Sequence, residues 1–271
     1  MRTLGYVAVT TTRRAITRMP AAAEPAQTPD DLAVEAPLVL AMGGAPIATL
    51  MRTPGHDIEL AAGWLVVESG VRHAEDVLEL RGCWEDGLDR VHIALREGVR
   101  PPRPRAFITS AACGICSADV LDLHPLAGPL PPHRPGWTVT REVLMGLPPA
   151  MRVEQRAFAR TGAVHAAALA DSSGAVRWVR EDVGRHNAVD KVVGKALLEG
   201  ALPAQDLLLV VSGRVSFEIV QKAVAAGVAG IVAVSAPSSL AVDLAREHDL
   251  LLAGLVRGDR LNVYAGESSV C

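Results

Sequence analysis

The sequence predicts an α/β protein with a smaller N-terminal α+β domain and a larger, layered α/β domain whose sheet is mostly parallel. In the second half, apolar runs of strand length alternate with amphipathic segments of helix length, the pattern of successive βαβ units. A break rich in proline and arginine, residues 100–105, separates this half from the first. With 271 residues the chain can bury a large core, and its few aromatic residues mean that Ala, Val and Leu must build it.

The N-terminal residues 1–30 are expected to form a poorly ordered arm. Arg13-Arg14 does not introduce an export signal, because polar and proline-containing sequence follows it instead of an apolar run. Gly, Pro or a charge interrupts every apolar run before it reaches membrane-spanning length. The net charge of −3 argues against a nucleic-acid binder. We therefore expect a cytoplasmic protein with neither nucleic acid nor membrane as a partner.

The smaller domain is expected to cover 31–104, and it begins with a hairpin signal. Gly43-Gly44 lies between two β-capable runs and predicts a hairpin over 32–52. Thr53-Pro54 predicts a helix start, with Thr53 as the cap and Pro54 at the first helical position. Further strands are predicted at 77–80 and 90–95, with Cys83 in the turn between them.

The larger domain is expected to cover 105–271. Thr140 predicts the cap of one helix, residues 151–159 predict another, and 166–170, which follow the lead-in 161–165, fit either a strand or a buried helix. After these, strands are predicted at 176–180, 207–211, 231–234, 250–256 and 261–264, and helices at 187–199, 217–226 and 239–247. Ligands of such sheets bind on the loops at the carboxyl ends of the strands.

Two of the four cysteines, Cys113 and Cys116, lie three positions apart in one short stretch. Gly114 between them allows a tight turn, and Ser117 is a candidate N-cap for the helix that follows. A thiol just ahead of a helix N-terminus lies in a positive field, which favours the nucleophilic thiolate. Four cysteines in so long a chain fit a reducing compartment better than a disulfide scaffold. The alternative is a small buried pair without chemistry.

Zinc binding is a second chemistry open to these cysteines, because His124 and His133 could complete a Cys₂His₂ set. Structural zinc sites usually have a second compact ligand pair, whereas these histidines are widely spaced in a proline-rich segment, so we expect no metal. Zinc deaminases use an H-x-E motif whose glutamate transfers protons. In this chain His165 is followed at that place by Ala167, so deaminase chemistry is not expected.

Polar residues concentrate on four predicted strand-end loops, at 181–191, 212–218, 235–239 and 255–260. The first loop holds more polar groups than a turn and a helix cap require, which indicates a functional site. The alternative is a solvated helix start whose charged groups form salt bridges. The second places a glycine, hydroxyls and a guanidinium at a helix start, where anions bind. Together the loops predict a site for a phosphate-bearing, nucleotide-like ligand. The candidate binding residues on the first two loops are Arg185, His186, Asn187, Ser212, Gly213 and Arg214.

Taken together, these motifs resemble the FdhD/NarQ family of formate dehydrogenase accessory sulfurtransferases, over about residues 30 to 265. The string Gly184-Arg-His-Asn-Ala-Val-Asp-Lys191 is the most specific carrier of the resemblance. The other carriers are Thr53-Pro-Gly55, Cys113-Gly-Ile-Cys116, the Thr-Gly-x-x-His-Ala-Ala motif at 161–167, Ser212-Gly-Arg214 and Ser235-Ala-Pro237.

The resemblance implies a sulfur carrier whose larger domain has a cytidine-deaminase-like fold without deaminase activity. Sulfur from a cysteine desulfurase would be held as a persulfide on Cys113, with Cys116 as relay or resolving thiol. It would then pass to the molybdenum (or tungsten) bis(molybdopterin guanine dinucleotide) cofactor before that cargo enters formate dehydrogenase. The resemblance also implies a homodimer. The segment that matches the family's cofactor-binding stretch is Leu255, Val256, Arg257, Gly258, Asp259 and Arg260.

Two other functions stay open at this point. A cofactor chaperone would bind the guanine nucleotide ends of the cargo through arginines such as Arg257 and Arg260, and its thiols would be dispensable. A thioredoxin-like redox enzyme is disfavoured, because the CxxC motif lies between proline-rich segments and does not end a first βαβ strand.

Overall fold

The computed structural model describes residues 9–102, 108–109 and 136–271, and in these ranges the strands form three sheets. The strands are β1 Thr11–Arg18, β2 Ala26–Ala33, β3 Ala36–Met42, β4 Ala45–Arg52, β5 Val77–Glu85, β6 Leu88–Leu95, β7 Ile108–Thr109, β8 His165–Asp171, β9 Val176–Asp182, β10 Leu207–Val211, β11 Gly230–Ala233, β12 Leu251–Arg257 and β13 Arg260–Ala265. The helices are α1 Asp57–Glu68, α2 Arg141–Val153, α3 Arg156–Thr161, α4 Arg185–Leu198, α5 Phe217–Ala226 and α6 Ser239–Glu247.

The first half of the chain forms a five-stranded sheet with the order β5-β6-β3-β4-β7. Gly43 and Gly44 have positive φ values of 58° and 82°, so the predicted hairpin between β3 and β4 is confirmed. Asp86 and Gly87 make a similar turn between β5 and β6. The prediction that Cys83 lies in a turn is wrong, because β5 continues through Cys83 and pairs with β6 as far as this tight turn.

The second half forms a six-stranded sheet with the order β13-β12-β11-β10-β8-β9. Within it β10, β11 and β12 are parallel, and the remaining pairs are antiparallel. The α/β class is therefore confirmed as a mixed α/β fold, but the prediction of a mostly parallel sheet is wrong. Parallel neighbours need a crossover helix, and the short links between β8 and β9 and between β12 and β13 allow hairpins only.

Helices cover both faces of the six-stranded sheet. A large core joins one face to α4, α5, α6, α1 and the five-stranded sheet, and a smaller core joins the other face to α2. Residues 60–67 of α1 are all buried, as expected for a helix that packs on every side. No helix in the described ranges combines the length and hydropathy that a membrane crossing requires.

Helices α1 and α4 cross at two glycines. A Cβ atom on Gly63 would lie 1.8 Å from the backbone oxygen of Asp190, and one on Gly194 would lie 1.8 Å from that of Glu59. Both distances are far inside van der Waals contact with backbone atoms, which a rotamer change cannot relieve. The two helices therefore approach as closely as they do because neither carries a side chain at the crossing.

Of the three predicted helix caps, Ser117 lies outside the described residues, and the other two have different outcomes. Thr140 caps α2 as predicted, since its hydroxyl accepts a hydrogen bond from the Val143 backbone N–H at 3.3 Å. The prediction for Thr53 is wrong, because α1 begins later, after His56 in a left-handed conformation. The Thr53 hydroxyl instead accepts a hydrogen bond from the Val183 backbone N–H at 3.0 Å, and so joins the two halves of the chain.

Residues 11–33, most of which lie in the expected arm, form an antiparallel ribbon of β1 and β2. Asp31 on β2 lies 3.9 Å from Arg13 across the ribbon and 3.1 Å from Arg160 of α3. The ribbon therefore rests on α3 through a charge pair. The predicted division of the chain into domains stays a prediction, and the pairing of β7 with β4 adds residues 108–109 to the five-stranded sheet.

Gly63→Ala is expected to lower the free energy of unfolding by roughly 1–3 kcal/mol, because the added methyl group forces α1 and α4 apart. Gly146→Ala is the matched control: this helical glycine has nothing within 4 Å of an added Cβ. The control should raise stability by about 0.5–1 kcal/mol. Urea denaturation of both variants measures the two effects, and equal stabilities would contradict the proposed contact.

Candidate functional site

The carboxyl ends of four strands meet at one edge of the six-stranded sheet. β10, β11 and β12 are parallel, and β9 runs in the same direction as β10 because both are antiparallel to β8. β8 itself begins at this edge with His165. The segments that follow the four strands, at 183–187, 212–216, 234–238 and 258–259, are therefore neighbours. We call this region the strand-end edge.

The turn after β10 is held against the start of β8. Ser212 Oγ accepts a hydrogen bond from the Ala166 backbone N–H at 2.9 Å and lies 3.4 Å from His165 Nδ1. A Cβ atom on Gly213 would lie 3.2 Å from the same nitrogen. Glycine therefore allows this turn to pack closely against His165.

Burial and nearby positive charge at the strand-end edge both favour the neutral form of His165. Burial lowers the pKa of His165, and the guanidinium groups of Arg185 and Arg214 lower it further against the opposing effect of Asp182. The imidazole is therefore neutral near pH 7, where it can donate or accept a hydrogen bond. The same two guanidinium charges make the edge attractive to an anion.

His186 lies in the first turn of α4 and is also neutral. Burial lowers its pKa to about 3, and the charges of Lys222 and Arg185 contribute to this shift. Its Nε2 lies 3.0 Å from a carboxylate oxygen of Glu218 and 3.2 Å from Ser216 Oγ. The imidazole therefore ties the start of α4 to the start of α5.

The turn between β12 and β13 brings two arginines to the edge. Leu255 has a left-handed φ of 54°, and the register of β12 against β13 shifts between Gly254 and Arg257. Arg257 Nε donates a hydrogen bond to the carbonyl oxygen of Val234, directly after β11, at 3.3 Å. Arg260 faces Arg257 across the ladder, and both side chains are exposed. The two cations are accessible from solvent.

The other candidates for cofactor binding differ in accessibility. The side chain of Val256 is buried in the core that joins the sheet to α2. Arg214, Gly258 and Asp259 are exposed. The φ of Gly258 is 59°, a conformation that favours glycine, so this turn depends on it.

An open cavity of about 410 Å³ lies beside the strand-end edge. Its polar lining includes His165 and Ser212 from the edge and Arg152 and Gln155 near the end of α2. Its apolar lining includes Pro148, Met151, Phe158, Val164, Val183 and Val234. Its volume and mostly apolar walls are typical of small-molecule sites. Sequence reasoning missed the contribution of α2 and α3, because no motif marks these helices.

Glu181 fixes one wall of this cavity. Its two carboxylate oxygens accept hydrogen bonds from the backbone N–H groups of Ala157 and Phe158, each at 2.8 Å. These donors belong to the first turn of α3, which otherwise has no side-chain cap. Phe158 also stacks under the guanidinium of Arg152, 4.0 Å from its ring centroid. The first residue of the predicted polar loop therefore orders a cavity wall.

Asp182 is the centre of a buried network behind the edge. Its carboxylate accepts hydrogen bonds from the backbone N–H groups of Thr53 at 3.1 Å and Gly184 at 2.8 Å. It also lies 2.7 Å from the ammonium of Lys191, and both side chains are almost fully buried. Lys191 donates a second hydrogen bond to the Thr53 carbonyl oxygen at 2.8 Å. The network therefore ties the entry to α1 to the start of α4.

Asn187 belongs to the same network. Its side-chain amide donates to the Met51 carbonyl oxygen at 2.8 Å and to Asp182 at 3.1 Å. Both amide protons are thus used within the protein, which indicates a bracing role, and a contact between Asn187 and a cofactor stays a prediction. Asp190 likewise pairs with Lys222 of α5 at 2.6 Å. Much of the dense polar string serves to anchor α4.

Cys113 and Cys116 lie outside the described residues, and so do His124 and His133. The described chain resumes at Gly136 and leads through the Thr140 cap into α2, the helix that lines the cavity.

Comparison with known proteins identifies the family of the chain. The sequence profile of the FdhD/NarQ family matches residues 33–271. The chain is 47% identical over 264 residues to a protein of Nocardia farcinica named sulfur carrier protein FdhD, covering 94% of this chain and 93% of that protein. A protein of Streptomyces coelicolor with the same name is 46% identical over 252 residues, covering 89% of each.

The chain belongs to the FdhD/NarQ family. The resemblance predicted from its motifs is therefore confirmed. A Mycobacterium tuberculosis protein, also named sulfur carrier protein FdhD, is 43% identical over 87% of this chain. The fold matches the crystal structure of a protein from Desulfotalea psychrophila assigned as a formate dehydrogenase accessory protein, with a TM-score of 0.76, 22% identity and coverage of 97% of this chain and all of that one. At that identity the likeness concerns the fold.

Lys191→Met is expected to lower the free energy of unfolding by about 3–5 kcal/mol, because it leaves the buried Asp182 carboxylate without its cation. Lys195→Met, one helical turn further along α4, removes only the exposed pair with Glu199 and should change stability by less than about 0.5 kcal/mol. Chemical denaturation of the two variants tests the difference. A loss in Lys191→Met as small as that of the control would refute the role of the network.

The free energy of unfolding is expected to fall as the pH falls below about 6.5. The folded-state pKa of His186 is lowered to about 3, so the unfolded chain takes up a proton over this range that the folded chain does not. This histidine alone contributes a slope of at most about 1.4 kcal/mol per pH unit. Denaturation midpoints at pH 7.5, 6 and 5 measure the slope. His186→Gln should flatten this slope, and a slope as steep as that of the unaltered protein would contradict the assignment to His186.

Proposed function

We propose that the protein is a sulfur carrier that takes sulfur from a cysteine desulfurase as a persulfide on Cys113. It transfers this sulfur to a molybdenum cofactor, bis(molybdopterin guanine dinucleotide), before the cofactor enters formate dehydrogenase. Membership of the FdhD/NarQ family and the names of the relatives support the sulfur-carrier role.

The observation that carries the cofactor part of the proposal is a cationic edge beside an open cavity. Arg185 and Arg214 both lower the pKa of His165, so their charges act at one place on the strand-end edge. The pyrophosphate groups of a dinucleotide cargo carry negative charge, which such an edge attracts. The cavity of about 410 Å³, with apolar walls and a few polar groups, suits a flat heterocycle such as a nucleobase.

The chemistry of the two thiols follows thiol–disulfide exchange. The Cys113 thiolate attacks the outer sulfur of the donor's persulfide, the donor's S–S bond breaks, and the donor cysteine leaves as a thiolate. Cys113 then carries the persulfide. When the Cys116 thiolate attacks the inner sulfur of that persulfide, a Cys113–Cys116 disulfide forms and hydrosulfide is released to the metal. Two equivalents of a cellular thiol then reduce the disulfide to the two free cysteines and leave as their own disulfide, ready for the next cycle.

Arg257 and Arg260 are the further candidates for phosphate contact in this proposal. Both are exposed, and Arg257 is held over the end of β11 by its hydrogen bond to Val234. A guanidinium in this position can bind two phosphate oxygens at once. The neutral imidazole of His165 adds a hydrogen-bonding group without a further charge.

Several finer features belong to the proposal. They are the cytidine-deaminase-like layering of the larger domain, the homodimer, the cytoplasmic location, and cysteine desulfurase and formate dehydrogenase as partners. An alternative function is a chaperone that binds the cofactor without carrying sulfur. The strand-end edge supports this alternative equally well, since it concerns binding alone, so the thiols decide between the two.

Cys113→Ala is expected to abolish maturation of formate dehydrogenase in a strain that lacks its own sulfur carrier, because no persulfide can form at this position without a thiol. Cys271→Ala, which removes an exposed thiol more than 150 residues away in the sequence, is the matched control and should leave maturation unchanged. After incubation with a desulfurase and cysteine, mass spectrometry should find an added sulfur atom on the Cys113 peptide.

Binding of a guanine nucleotide separates the carrier from the chaperone. Cys113→Ala should bind GDP like the unaltered protein, whereas Arg257→Gln should bind it about 10- to 100-fold more weakly, the loss expected for one charged hydrogen bond. Arg177→Gln, an exposed arginine at the opposite end of β9, is the control. If Cys113→Ala supports full maturation of formate dehydrogenase and Arg257→Gln does not, the chaperone function is correct and the sulfur-carrier function is wrong.

A further inference from the structure

We propose that the β5–β6 hairpin holds a second site, in which Cys83, Glu85 and His92 bind a divalent metal ion of the zinc class. This inference is independent of the proposed sulfur transfer. The hairpin belongs to the five-stranded sheet, whereas the strand-end edge belongs to the six-stranded sheet.

The backbone of the hairpin places the three side chains on one face. Cys83 and Glu85 are two residues apart on β5, and residues at that spacing point to the same side of a sheet. Cys83 pairs with Arg90 of β6, so His92, two residues further on, lies diagonally opposite Cys83 on that side. This face points away from α1, since the intervening Val91 belongs to the core that contains α1.

The turn that joins the strands fixes this arrangement. Asp86 and Gly87 have φ values of 53° and 78°, which is the geometry of the tight two-residue turns that match the twist of a hairpin. The pairing of Glu85 with Leu88 follows directly from that turn. The ligand-bearing positions are therefore set by the hairpin itself.

The separations of the donor atoms fit a zinc site. The Cys83 sulfur, a Glu85 carboxylate oxygen and a His92 ring nitrogen all lie within 4.8 Å of one another, and His92 Nε2 lies 3.5 Å from Glu85 Oε2. In a tetrahedral site with zinc–ligand bonds of about 2.0–2.3 Å, donor atoms are about 3.3–3.6 Å apart. The nitrogen–oxygen separation already fits. The sulfur lies at most 4.8 Å from the other two donor atoms, so it has to move by no more than about 1 Å to complete a tetrahedral site.

The type of donor and the local charge both select the ion. One thiolate, one imidazole and one carboxylate suit zinc-class ions, whereas Mg²⁺ and Ca²⁺ prefer oxygen ligands alone. A thiolate and a carboxylate together balance the charge of a dication. Arg90 Nε lies 3.0 Å from the Glu85 carboxylate in an ion pair, and the nearby Asp86 carboxylate, 3.7 Å from Arg90, offsets the charge of that arginine.

The site is open to the solvent from which an ion would come. The side chain of Glu85 is 48% exposed and that of His92 is 21% exposed. Three protein ligands leave a fourth position for a water molecule. Without a metal, His92 and Glu85 contact each other directly, so the test has to distinguish the metal-free arrangement from the metal-bound one.

Metal binding at this site displaces a proton and needs no redox partner. The S–H bond of Cys83 breaks, the sulfur–metal bond forms with the sulfur electron pair, and the thiol proton passes to the buffer. Calorimetric titration with Zn²⁺ in two buffers of different ionisation enthalpy counts this proton. The proton count distinguishes coordination by thiolate from attraction of the ion to the carboxylates alone.

The decisive experiment is alkylation of the full-length Cys113→Ser/Cys116→Ser variant with iodoacetamide, with and without Zn²⁺. Two thiols remain, Cys83 in the proposed site and Cys271, an exposed thiol at the C-terminus, which is the internal control. Zn²⁺ at about ten times its dissociation constant should slow alkylation of Cys83 by about tenfold, because only the metal-free fraction reacts. Alkylation of Cys271 should not change. Peptide mass spectrometry measures both rates in one sample.

The addition of His92→Gln should remove the protection of Cys83. An equal rate for Cys83 with and without Zn²⁺ would overturn the proposal, and so would equal protection of Cys271. Protection that survives His92→Gln would show that the histidine is not a ligand and would overturn the three-residue site. The comparison with and without Zn²⁺ alters none of the three ligands, so it decides the question even if the His92→Gln protein does not fold.

Discussion

One buried carboxylate joins the two halves of the described chain. Asp182 accepts hydrogen bonds from the backbone N–H groups of Thr53 and Gly184 and from the side chain of Asn187, and it forms an ion pair with Lys191. Removing a carboxylate from water costs several kcal/mol, and only a full set of donors together with an opposite charge offsets that cost. Here the donors come from the exit of β4, the turn after β9 and helix α4. Movement of any of these elements would therefore take a hydrogen bond or a counter-charge away from this buried carboxylate.

The geometry of the strand-end edge depends on this constraint. Gly184 precedes α4, and Arg185 and His186 are its first residues, so the anchoring of α4 also determines where these two side chains lie. The crossing of α4 with α1 at Gly63 and Gly194 holds the helix from its other side. Anchoring of this kind keeps charged side chains in place before any ligand arrives, which lowers the free-energy cost of ordering them on binding.

Local patterns in the sequence were sufficient to predict several elements, because the information lies within a few residues. Gly43-Gly44 predicts the β3–β4 hairpin, and the bounds of α5 and α6 match the predicted 217–226 and 239–247. The prediction of a cap at Thr53 is wrong because its hydroxyl bonds to Val183, 130 residues away. The antiparallel pairing of β8 with β10 and the cavity walls from α2 and α3 are likewise decided by contacts between distant segments. The polar string at 181–191 indicated a site, but Asp182, Asn187, Asp190 and Lys191 bond to other parts of the protein. Several of their partners lie far away in the sequence, so no local pattern could predict these contacts.

Glu181 and Asp182 are adjacent on β9, yet they serve opposite layers of the protein. Glu181 accepts hydrogen bonds from the first turn of α3 on one face of the sheet. Asp182 bonds to Thr53 and pairs with Lys191 of α4 on the other face. Side chains alternate between faces along a strand. A slip of β9 by one residue would therefore turn Glu181 toward α4 and Asp182 toward α3, and neither carboxylate would meet its partners. The apolar alternation of β9 is weak, with most of its residues half-buried, and on its own would specify alignment poorly. The two neighbouring acids thus specify the register of β9 in the sheet.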